Sequence, residues 1–183
     1  MDGTFELFRA HFAPRPGKTV GGVDVKATAG VVGSMLALLE DASEAVTHLA
    51  IAFDNPIVSF RNELFDGYKS DEGIPAALRS QFDLVEVAAR ALGIVVWSMD
   101  RYEADDALAT AATRFAGPDV QVRILTPDKD LGQVLASDRV VQIDRIRKKV
   151  IDEAAMRARS WPRSTPAGAR PASPPARRPP APS

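Results

Sequence analysis

The sequence predicts an α/β fold in which a mostly parallel β-sheet is flanked by helices. Short apolar segments such as HLAIAF and IVVW alternate along the chain with longer segments that have the periodicity of amphipathic helices. Strands that are separated by helices favour a parallel sheet, because a parallel pair needs a long crossover connection. A length of 183 residues is enough for about one domain with a buried core.

The elements are predicted in a regular order along the chain. Segments with helical periodicity are TFELFRAHF, VVGSMLALLEDA, PAALRSQFDLVEVAARALG, EADDALATAATRFAG and the short DLGQVLAS. The third of these has Pro75 near its start and Gly93 at its end, where helices accept these residues best. Segments typical of buried strands are HLAIAF, IVVW, VQVRILT and RVVQI. APRPGKTVGGVDVKATAG, between the first two helices, is predicted to be a loop because Gly and Pro recur in it.

The composition excludes several classes of protein. The chain has no Cys, which excludes disulfides and thiolate zinc sites, and its two His are too few for a His-rich metal site. No apolar run approaches the ~20 residues of a membrane-spanning helix, and MDGTFELFRAHF lacks the pattern of a signal peptide. The G-x-S-x-G motif of acyl transfer and the P-loop motif are also absent. We therefore expect a soluble intracellular protein.

The last part of the chain, residues 160–183, differs from the domain predicted for residues 1–159. Eight of its 24 residues are Pro and none is Val, Ile, Leu, Met or Phe, which predicts a disordered tail. The tail is interpreted as a segment without function, as a basic arm for nucleic acid or a partner, or as a frameshift product of GC-rich coding DNA. It contains four Arg and no acid, so residues 1–159 carry a net charge of −5. A net-acidic body that binds polyanions needs metal ions or a local basic patch.

Acidic residues follow three of the predicted strands. They are Asp54 after HLAIAF, Glu103, Asp105 and Asp106 after IVVW, and Asp128 and Asp130 after VQVRILT. Ligands of open α/β sheets bind beyond the carboxyl ends of the strands, so we expect these acids to meet at one edge. Like charges repel and raise one another's pKa unless a cation neutralises them, and Mg²⁺ is the usual cation where phosphates share the coordination.

Helix capping is the competing explanation for these acids. Asp is a good N-cap, and acids in the first turn of a helix are stabilised by the helix dipole. Glu103 or Asp130 alone is more often a cap than a ligand, and Asp54 alone is often a turn residue. The E-x-D-D and D-x-D groups together, both at strand-to-helix turns, favour a metal site.

Candidate cations for a substrate lie in the segment SFRNELFDGYKSDEG. Arg61 and Lys69 in this segment can hold a phosphate, and the rings of Phe60, Phe65 and Tyr68 can stack on a base. Taken alone, the segment is more typical of an ordinary amphipathic surface helix.

Several segments together resemble a known family. FDNPIVSFRNELFDGYKSDEGIPAALRSQF, YEADDALAT and LTPDKDLGQVL are similar to the 5′–3′ exonuclease domain at the front of bacterial DNA polymerase I. This domain belongs to the flap endonucleases, whose fold is PIN-like α/β. The resemblance covers roughly residues 1–155, and F-D, F-R, Y-K, E-A-D-D and D-K-D occur in the family's order. DGTFELFRAHFA also resembles the family's DG-S/T segment, whose Asp closes the first strand and binds metal.

The resemblance implies a nuclease of the bacterial cytoplasm and nucleoid that uses divalent metal ions to hydrolyse DNA in repair and replication. Two ions, Mg²⁺ or Mn²⁺, are expected to stabilise the attacking and leaving oxygens of a phosphodiester. By match, the first site consists of Asp2, Asp54, Glu103 and Asp105. The second is completed or bridged by Asp106, Asp128 and Asp130. Arg61 and Lys69 match the basic residues near the scissile phosphate, and Tyr68 joins them as an expected DNA contact.

Both ends of the chain depart from the family pattern. Asp2 directly follows Met1, so the family's apolar first strand is not in this sequence. The three or four buried side chains that it lacks are worth about 1.5–3 kcal/mol each, which predicts marginal stability. The family's helix–hairpin–helix and its further Asp pair are not present either, since no Asp follows Asp152. A second ion therefore has fewer ligands here, and we expect impaired activity.

Two other functions remain open on the sequence alone. One is a PIN-type ribonuclease, and the other is a catalytically silent DNA-binding fragment. Cleavage of a 5′-flap DNA, rather than of single-stranded RNA or of neither, distinguishes the three hypotheses.

Overall fold

The computed structural model describes residues 1–160, in which most predicted helices are found. The helices are α1 (Gly3–Phe12), α2 (Lys26–Glu40), α3 (Arg61–Leu64), α4 (Ala76–Arg79), α5 (Phe82–Ala91), α6 (Ala104–Phe115) and α7 (Glu153–Ser160). Two 3₁₀ helices span Ala42–Glu44 and Lys129–Val134. No helix of this part of the chain is long and apolar enough to cross a membrane. Of the predicted tail, only Ser160 falls inside a described element, and 161–183 lie outside the described residues.

The two longer strand pairs are parallel, as the sequence predicts, and the two shorter pairs are antiparallel. They are β1 (Thr19–Val20), β2 (Val23–Asp24), β3 (Ala50–Asp54), β4 (Val95–Met99), β5 (Val122–Leu125), β6 (Val140–Asp144) and β7 (Lys149–Ile151). β3 pairs with β4 in parallel, and β5 pairs with β6 in parallel. β7 lies antiparallel to β6, and β1 and β2 form a separate small hairpin.

Two residues at the N-terminus join the two parallel pairs. Asp2 forms a parallel bridge with Ala52 of β3, whose N–H donates to the carbonyl of Met1 at 3.1 Å. On the other side, the N–H of Asp2 donates to the carbonyl of Leu125 in β5, also at 3.1 Å. Met1 and Asp2 therefore act as a very short strand, and Asp2 stands between the carboxyl ends of β3 and β5.

Two apolar clusters hold the helices against the strands. The first joins α1, α2, α4 and α5 to β3, and its fully buried side chains include Leu7, Val31, Met35, Ile51, Phe53, Leu78 and Phe82. The second joins α6 to β5, β6 and the 3₁₀ helix at Lys129–Val134, and it includes Leu108, Ala112, Ile124, Leu131 and Val140. This packing fixes the starts of α1 and α6 beside the ends of the strands.

The prediction that residues 13–30 form a loop was wrong in part. It contains the β1–β2 hairpin, whose turn residues Gly21 and Gly22 have φ angles of 57° and 82°. A Gly-Gly pair supplies these angles without strain, and it is a known hairpin signal. The carboxylate of Asp24 accepts a hydrogen bond from the N–H of Lys26 at 2.8 Å, and α2 begins there, earlier than predicted.

The single helix predicted for PAALRSQFDLVEVAARALG is divided into α4 and α5. Gln81, between them, is fully buried and accepts hydrogen bonds from the N–H and hydroxyl of Thr28 at 3.0 and 3.2 Å. Its amide also donates to the carbonyl of Ala77 at 2.9 Å. Contacts of this kind between distant parts of the chain override local periodicity.

Three further elements differ from the prediction. DLGQVLAS forms a 3₁₀ helix that begins at Lys129, and β7 and α7 were not predicted at all. β7 has only three residues, and α7 has Met156 as its single large apolar residue, so neither shows the apolar periodicity that identifies an element.

Helix α2 offers a matched pair of glycines that tests its packing on α1. A Cβ on Gly30 meets the Cβ of Ala10 at 2.7 Å, whereas a Cβ on Gly33 meets nothing within 4 Å. We expect Gly30→Ala to lower the free energy of unfolding by about 1–2 kcal/mol through overpacking. Gly33→Ala should raise it by about 0.5–1 kcal/mol through helix propensity. Urea unfolding measures both, and equal stabilisation by the two variants would contradict the close α1–α2 contact.

Candidate functional site

An open cavity of about 700 Å³ lies where the carboxyl ends of the strands meet the starts of the helices. Its walls come from the first turns of α1 and α6, the end of β3 and the loop after β5. The lining residues are Asp2, Thr4, Phe5, Phe8, Asp54, Lys69, Ala104, Asp105, Thr126, Pro127, Asp128 and Lys129. This is the edge at which open α/β sheets bind ligands, and four of the seven predicted acidic ligands line it.

Asp2 is a buried carboxylate that caps α1, and it is only 8% exposed. One of its oxygens accepts a hydrogen bond from the N–H of Phe5 at 2.9 Å, and the other accepts from the hydroxyl of Thr126 at 3.0 Å. Burial raises the pKa of Asp2, although these two hydrogen bonds oppose the shift. Asp2 is therefore both a helix cap and part of the cavity wall.

Asp54 connects β3 to the start of α6. Its Oδ1 accepts a hydrogen bond from the N–H of Ala104 at 2.7 Å, and its Oδ2 lies 3.6 Å from the Nζ of Lys69. The same residue thus fixes the first turn of α6 and presents an oxygen to the cavity.

Asp105, in the first turn of α6, lies among other negative charges. Within residues 1–160 its carboxylate has no hydrogen bond or salt bridge to another side chain. Burial raises the pKa of Asp105 to about 7, with further increases from the charges of Asp2, Asp128 and Asp54, while Lys69 opposes the shift. A cation placed here would relieve this repulsion.

Glu103 and Asp106, in contrast, are already paired with basic side chains. Arg61 donates two hydrogen bonds of 2.8 Å to the carboxylate of Asp106, and its Nη1 lies 3.3 Å from Glu103. Glu103 also accepts a hydrogen bond from the hydroxyl of Ser59 at 2.8 Å. The N–H of Glu103 donates to Asp106 at 2.9 Å, so the two acids form the capping box of α6.

These pairings keep both carboxylates ionised. The hydrogen bonds from Arg61 lower the pKa of Asp106. Burial alone would raise the pKa of Glu103, but hydrogen bonds from Ser59 and Lys69 bring it below its usual range. The pKa of Arg61 is raised, chiefly by its hydrogen bonds to Asp106.

Lys69 stands between the cavity and the Glu103–Arg61–Asp106 group. Its Nζ lies 3.0 Å from Glu103 and 3.6 Å from Asp54. Burial acts to lower the pKa of Lys69, but the nearby charges of Asp54 and Glu103 prevail and raise it. Lys69 is therefore a fixed positive charge on the cavity wall, where an anionic group of a ligand would meet it.

The remaining predicted residues lie at the rim or outside the cavity. Asp128 lines the cavity and accepts a hydrogen bond from the N–H of Asp130 at 2.9 Å. Asp130 is exposed and does not line the cavity. Tyr68 is 43% exposed beside Lys69 and is outside the cavity lining as well.

The side chains of the cavity are of the type that binds a hard divalent cation, but they are not positioned to coordinate one. Asp2, Asp54, Asp105 and Asp128 offer only oxygen donors, which Mg²⁺ and Mn²⁺ prefer. Burial, together with the charges of the other three, raises the pKa of Asp105, and a bound cation would oppose this shift. Across residues 1–160, however, no group of three or more His, Asp or Glu side chains is arranged to hold a metal ion. Cation binding therefore requires these carboxylates to turn toward one another.

Three hydroxyl side chains that position the acids were not found from the sequence. Ser59 and Thr126 donate to Glu103 and Asp2, and the hydroxyl of Thr4 accepts from the N–H of Asp54 at 2.8 Å. Each lies two residues from a predicted site residue, and this proximity is the signal that could have identified them.

Comparison with known proteins decides the family. The model of the 5′–3′ exonuclease, N-terminal resolvase-like domain matches residues 1–160. The chain belongs to this family. The 5′–3′ exonuclease identification and the α/β fold class predicted from the sequence are therefore confirmed.

Relatives of this 5′–3′ exonuclease domain include bacterial DNA polymerases I. That of Mycobacterium leprae is 37% identical over 148 residues, and that of Rhizobium leguminosarum is 34% identical over 158. The alignments cover 79% and 82% of this chain but only 16% of each polymerase. The chain therefore corresponds to a small part of these relatives.

A solved structure with the same fold is the T5 D15 protein, which was co-crystallised with metal ions. Its TM-score is 0.57 with 17% sequence identity, over 86% of this chain and 58% of that protein. The chain therefore shares its three-dimensional fold with this protein.

Proposed function

We propose that this 5′–3′ exonuclease domain hydrolyses DNA phosphodiester bonds at 5′ ends, nicks or flaps, with Mg²⁺ or Mn²⁺ as cofactor. Work of this kind belongs to DNA repair and replication, and it places the protein at the nucleoid of the bacterial cytoplasm. The observation that carries the proposal is the Asp105 carboxylate, which has three acidic neighbours and Lys69 nearby in an open cavity.

Four carboxylates are assigned to the metal. Asp2, Asp54, Asp105 and Asp128 line the cavity and would hold a divalent cation after their side chains converge. When bound, such a cation supplies Lewis-acid activation of water and neutralises charge on the phosphate. The burial of Asp2 and the hydrogen bond that the N–H of Ala104 donates to Asp54 keep two of these acids on rigid elements, as a precise site requires.

The basic residues are assigned to the substrate. Lys69 lies on the cavity wall and can meet a phosphate oxygen, because its Nζ is beside the acids without being enclosed by them. Arg61 is held by Asp106 and pairs with Glu103, which in turn pairs with Lys69. Tyr68, exposed next to Lys69, is available to stack on a base.

Glu103, Asp106 and Asp130 are assigned differently from the prediction, and Glu103 is paired with Arg61 and Lys69 outside the cavity lining. Both oxygens of Asp106 are occupied by Arg61, so its role is to position Arg61 rather than to bind a metal directly. Asp130 lies outside the cavity lining. Of the ligands predicted for a second ion, Asp128 alone lines the cavity within residues 1–160, and its assignment to the first ion favours a single bound ion.

A cleavage assay with the full chain tests this function. A 5′-flap DNA and a single-stranded RNA, each labelled at the 5′ end, are incubated with Mg²⁺, with Mn²⁺ or with EDTA. We expect metal-dependent cleavage of the DNA alone. Asp105→Asn should reduce the rate by about 100-fold or more, which corresponds to the loss of several kcal/mol of charge stabilisation. Asp119→Asn, an isosteric change at an exposed acid of a turn, is the control and should leave the rate unchanged.

The other outcomes identify the rival functions. Cleavage of the RNA but not of the DNA would indicate a PIN-type ribonuclease. Binding of the flap without metal-dependent cleavage, unaffected by Asp105→Asn, would indicate a silent DNA-binding domain.

A further inference from the structure

We propose that the turn between β6 and β7 is a contact surface for the DNA backbone, placed beside the carboxylate cavity. The turn and the first residue of β7 carry Arg145, Arg147, Lys148 and Lys149, which we call the basic tip. This inference rests on the proposed function, because it takes DNA as the ligand.

The basic tip is a concentration of positive charge on an acidic body. Four of its five positions from 145 to 149 are Lys or Arg, and no acid occurs between Asp144 and Asp152. Residues 1–159 as a whole carry a net charge of −5. A protein of this charge that binds a polyanion needs metal ions or a local basic patch, and clustered Lys and Arg residues are the usual form of such a patch.

The topology places the basic tip at the same edge of the sheet as the cavity. β5 and β6 are parallel, with Leu125 opposite Ile143, so the chain leaves both strands in the same direction. After β5 it forms the cavity wall, and after β6 it forms the tip. The buried amide of Gln142 joins the two segments, since it donates to the carbonyls of Thr126 at 2.9 Å and Asp128 at 2.5 Å.

The two arginines of the basic tip are bound to neighbouring side chains, and its two lysines are exposed. Arg145 donates to the hydroxyl of Ser34 at 2.5 Å and lies 3.7 Å from Glu6, so it fastens the turn to α1 and α2. Arg147 pairs with Asp144 at 2.7 Å. Lys148 and Lys149 are exposed, and within residues 1–160 neither makes a salt bridge.

This division suits a phosphate contact. An anchored turn holds its free lysines at a fixed distance from the cavity, so they need little ordering when a strand binds. The contact is electrostatic and independent of sequence, and each lysine that neutralises a phosphate adds about 0.9 to the slope of log affinity against log salt on duplex DNA. The tip thus guides the duplex part of a substrate while the cavity receives the bond that is cut.

A charge-matched pair of variants tests the contact on the full chain. Lys148→Gln/Lys149→Gln removes two positive charges from the tip. Arg114→Gln/Arg139→Gln removes two from exposed positions at the other edge, at the end of α6 and just before β6. Binding of a fluorescent 5′-flap duplex is followed by anisotropy in EDTA, where no cleavage occurs, at several salt concentrations.

We expect the lysine variant to bind more weakly at low salt, with a salt-dependence slope smaller by about 2, and to keep the wild-type melting temperature. The arginine control should keep the wild-type slope. A wild-type slope in the lysine variant, or an equal fall in the control, overturns the proposal, as does a wild-type chain that binds no DNA.

The proposed hydrolysis and the proposed contact can fail separately. If the wild type binds but does not cleave with metal, and the lysine variant still loses slope, the contact stands and the hydrolysis fails. If metal-dependent cleavage is present and the lysine variant binds as the wild type does, the contact fails and the hydrolysis stands.

Discussion

Asp105→Asn is expected to stabilise the metal-free protein at pH 8 while it removes activity. The pKa of Asp105 is raised from 3.8 to about 7 by burial and by neighbouring acids, so the folded state resists its ionisation. A shift of that size is worth about 4 kcal/mol in full, and the partial exposure of the side chain reduces the expected gain to about 1–2 kcal/mol. Asn keeps the shape of Asp without the charge.

The pH dependence follows from the sign of this shift. Between pH 3.8 and about 7 the folded state binds a proton at Asp105 that the unfolded state has released. The stability of the wild type therefore falls as the pH rises through this window, and the gain from Asn grows until it levels off above pH 7. Urea unfolding of the wild type and of Asp105→Asn in EDTA at pH 4, 6 and 8 measures this gain.

Asp106→Asn, one residue further along α6, is the control with the opposite sign. The pKa of Asp106 is lowered by its hydrogen bonds with Arg61, so its ionised form stabilises the fold above its unfolded pKa. We expect Asp106→Asn to destabilise the protein at pH 8 and to lose this effect as the pH falls. Mg²⁺ should then stabilise the wild type and Asp106→Asn more than Asp105→Asn. Two neighbouring variants that are equally destabilised at pH 8 would contradict the electrostatics of the cavity.

Gly3→Ala is expected to lower the free energy of unfolding by about 2–3 kcal/mol, because the added methyl group overpacks a buried site. A Cβ on Gly3 would lie 2.5 Å from the ring of Phe53 and 2.7 Å from the carbonyl oxygen of Ala52. The backbone of β3 cannot move aside without shifting Asp54, and Asp2 directly precedes the substituted residue. Metal affinity should therefore fall together with stability.

Urea unfolding and Mn²⁺ titration of the variant measure both effects. Gly17→Ala, in open space where a Cβ meets nothing within 4 Å, is the control and should leave both unchanged. Since Ala is the better helix former, a stabilised Gly3→Ala would show that α1 does not approach β3 this closely.

The position of the cavity was predictable from the sequence because it depends on topology. Asp54 and Asp128 follow predicted strands, and parallel strands end at a common edge, so these acids had to come near one another. Asp105 was found by the same argument through its place at the start of α6. The competing explanation was that the acids at the start of α6 cap the helix. Glu103 and Asp106 form this cap, and Asp105 does not take part in it.

Topology did not predict which acids pair with basic side chains and which stay unpaired in the cavity. Arg61 and Asp106 are 45 residues apart, and their two hydrogen bonds depend on how the α3 segment lies against α6. No local pattern reports such a pairing. The break at Gln81 has the same origin, since its partner Thr28 is 53 residues away. Periodicity describes which face of a helix is apolar, and it does not describe which polar group a distant segment will supply.

The short strand of Met1 and Asp2 has a consequence for cooperativity. In residues 1–160 the β3–β4 pair and the β5–β6–β7 group share main-chain hydrogen bonds through these two residues, with α6 packed across both sides. The cavity thus lies where these two strand groups meet, and each apolar cluster contains residues from both groups. An ion coordinated by Asp54 at the end of β3 and by Asp128 in the loop after β5 would link the two groups a second time, so their separation should cost more free energy when the ion is bound.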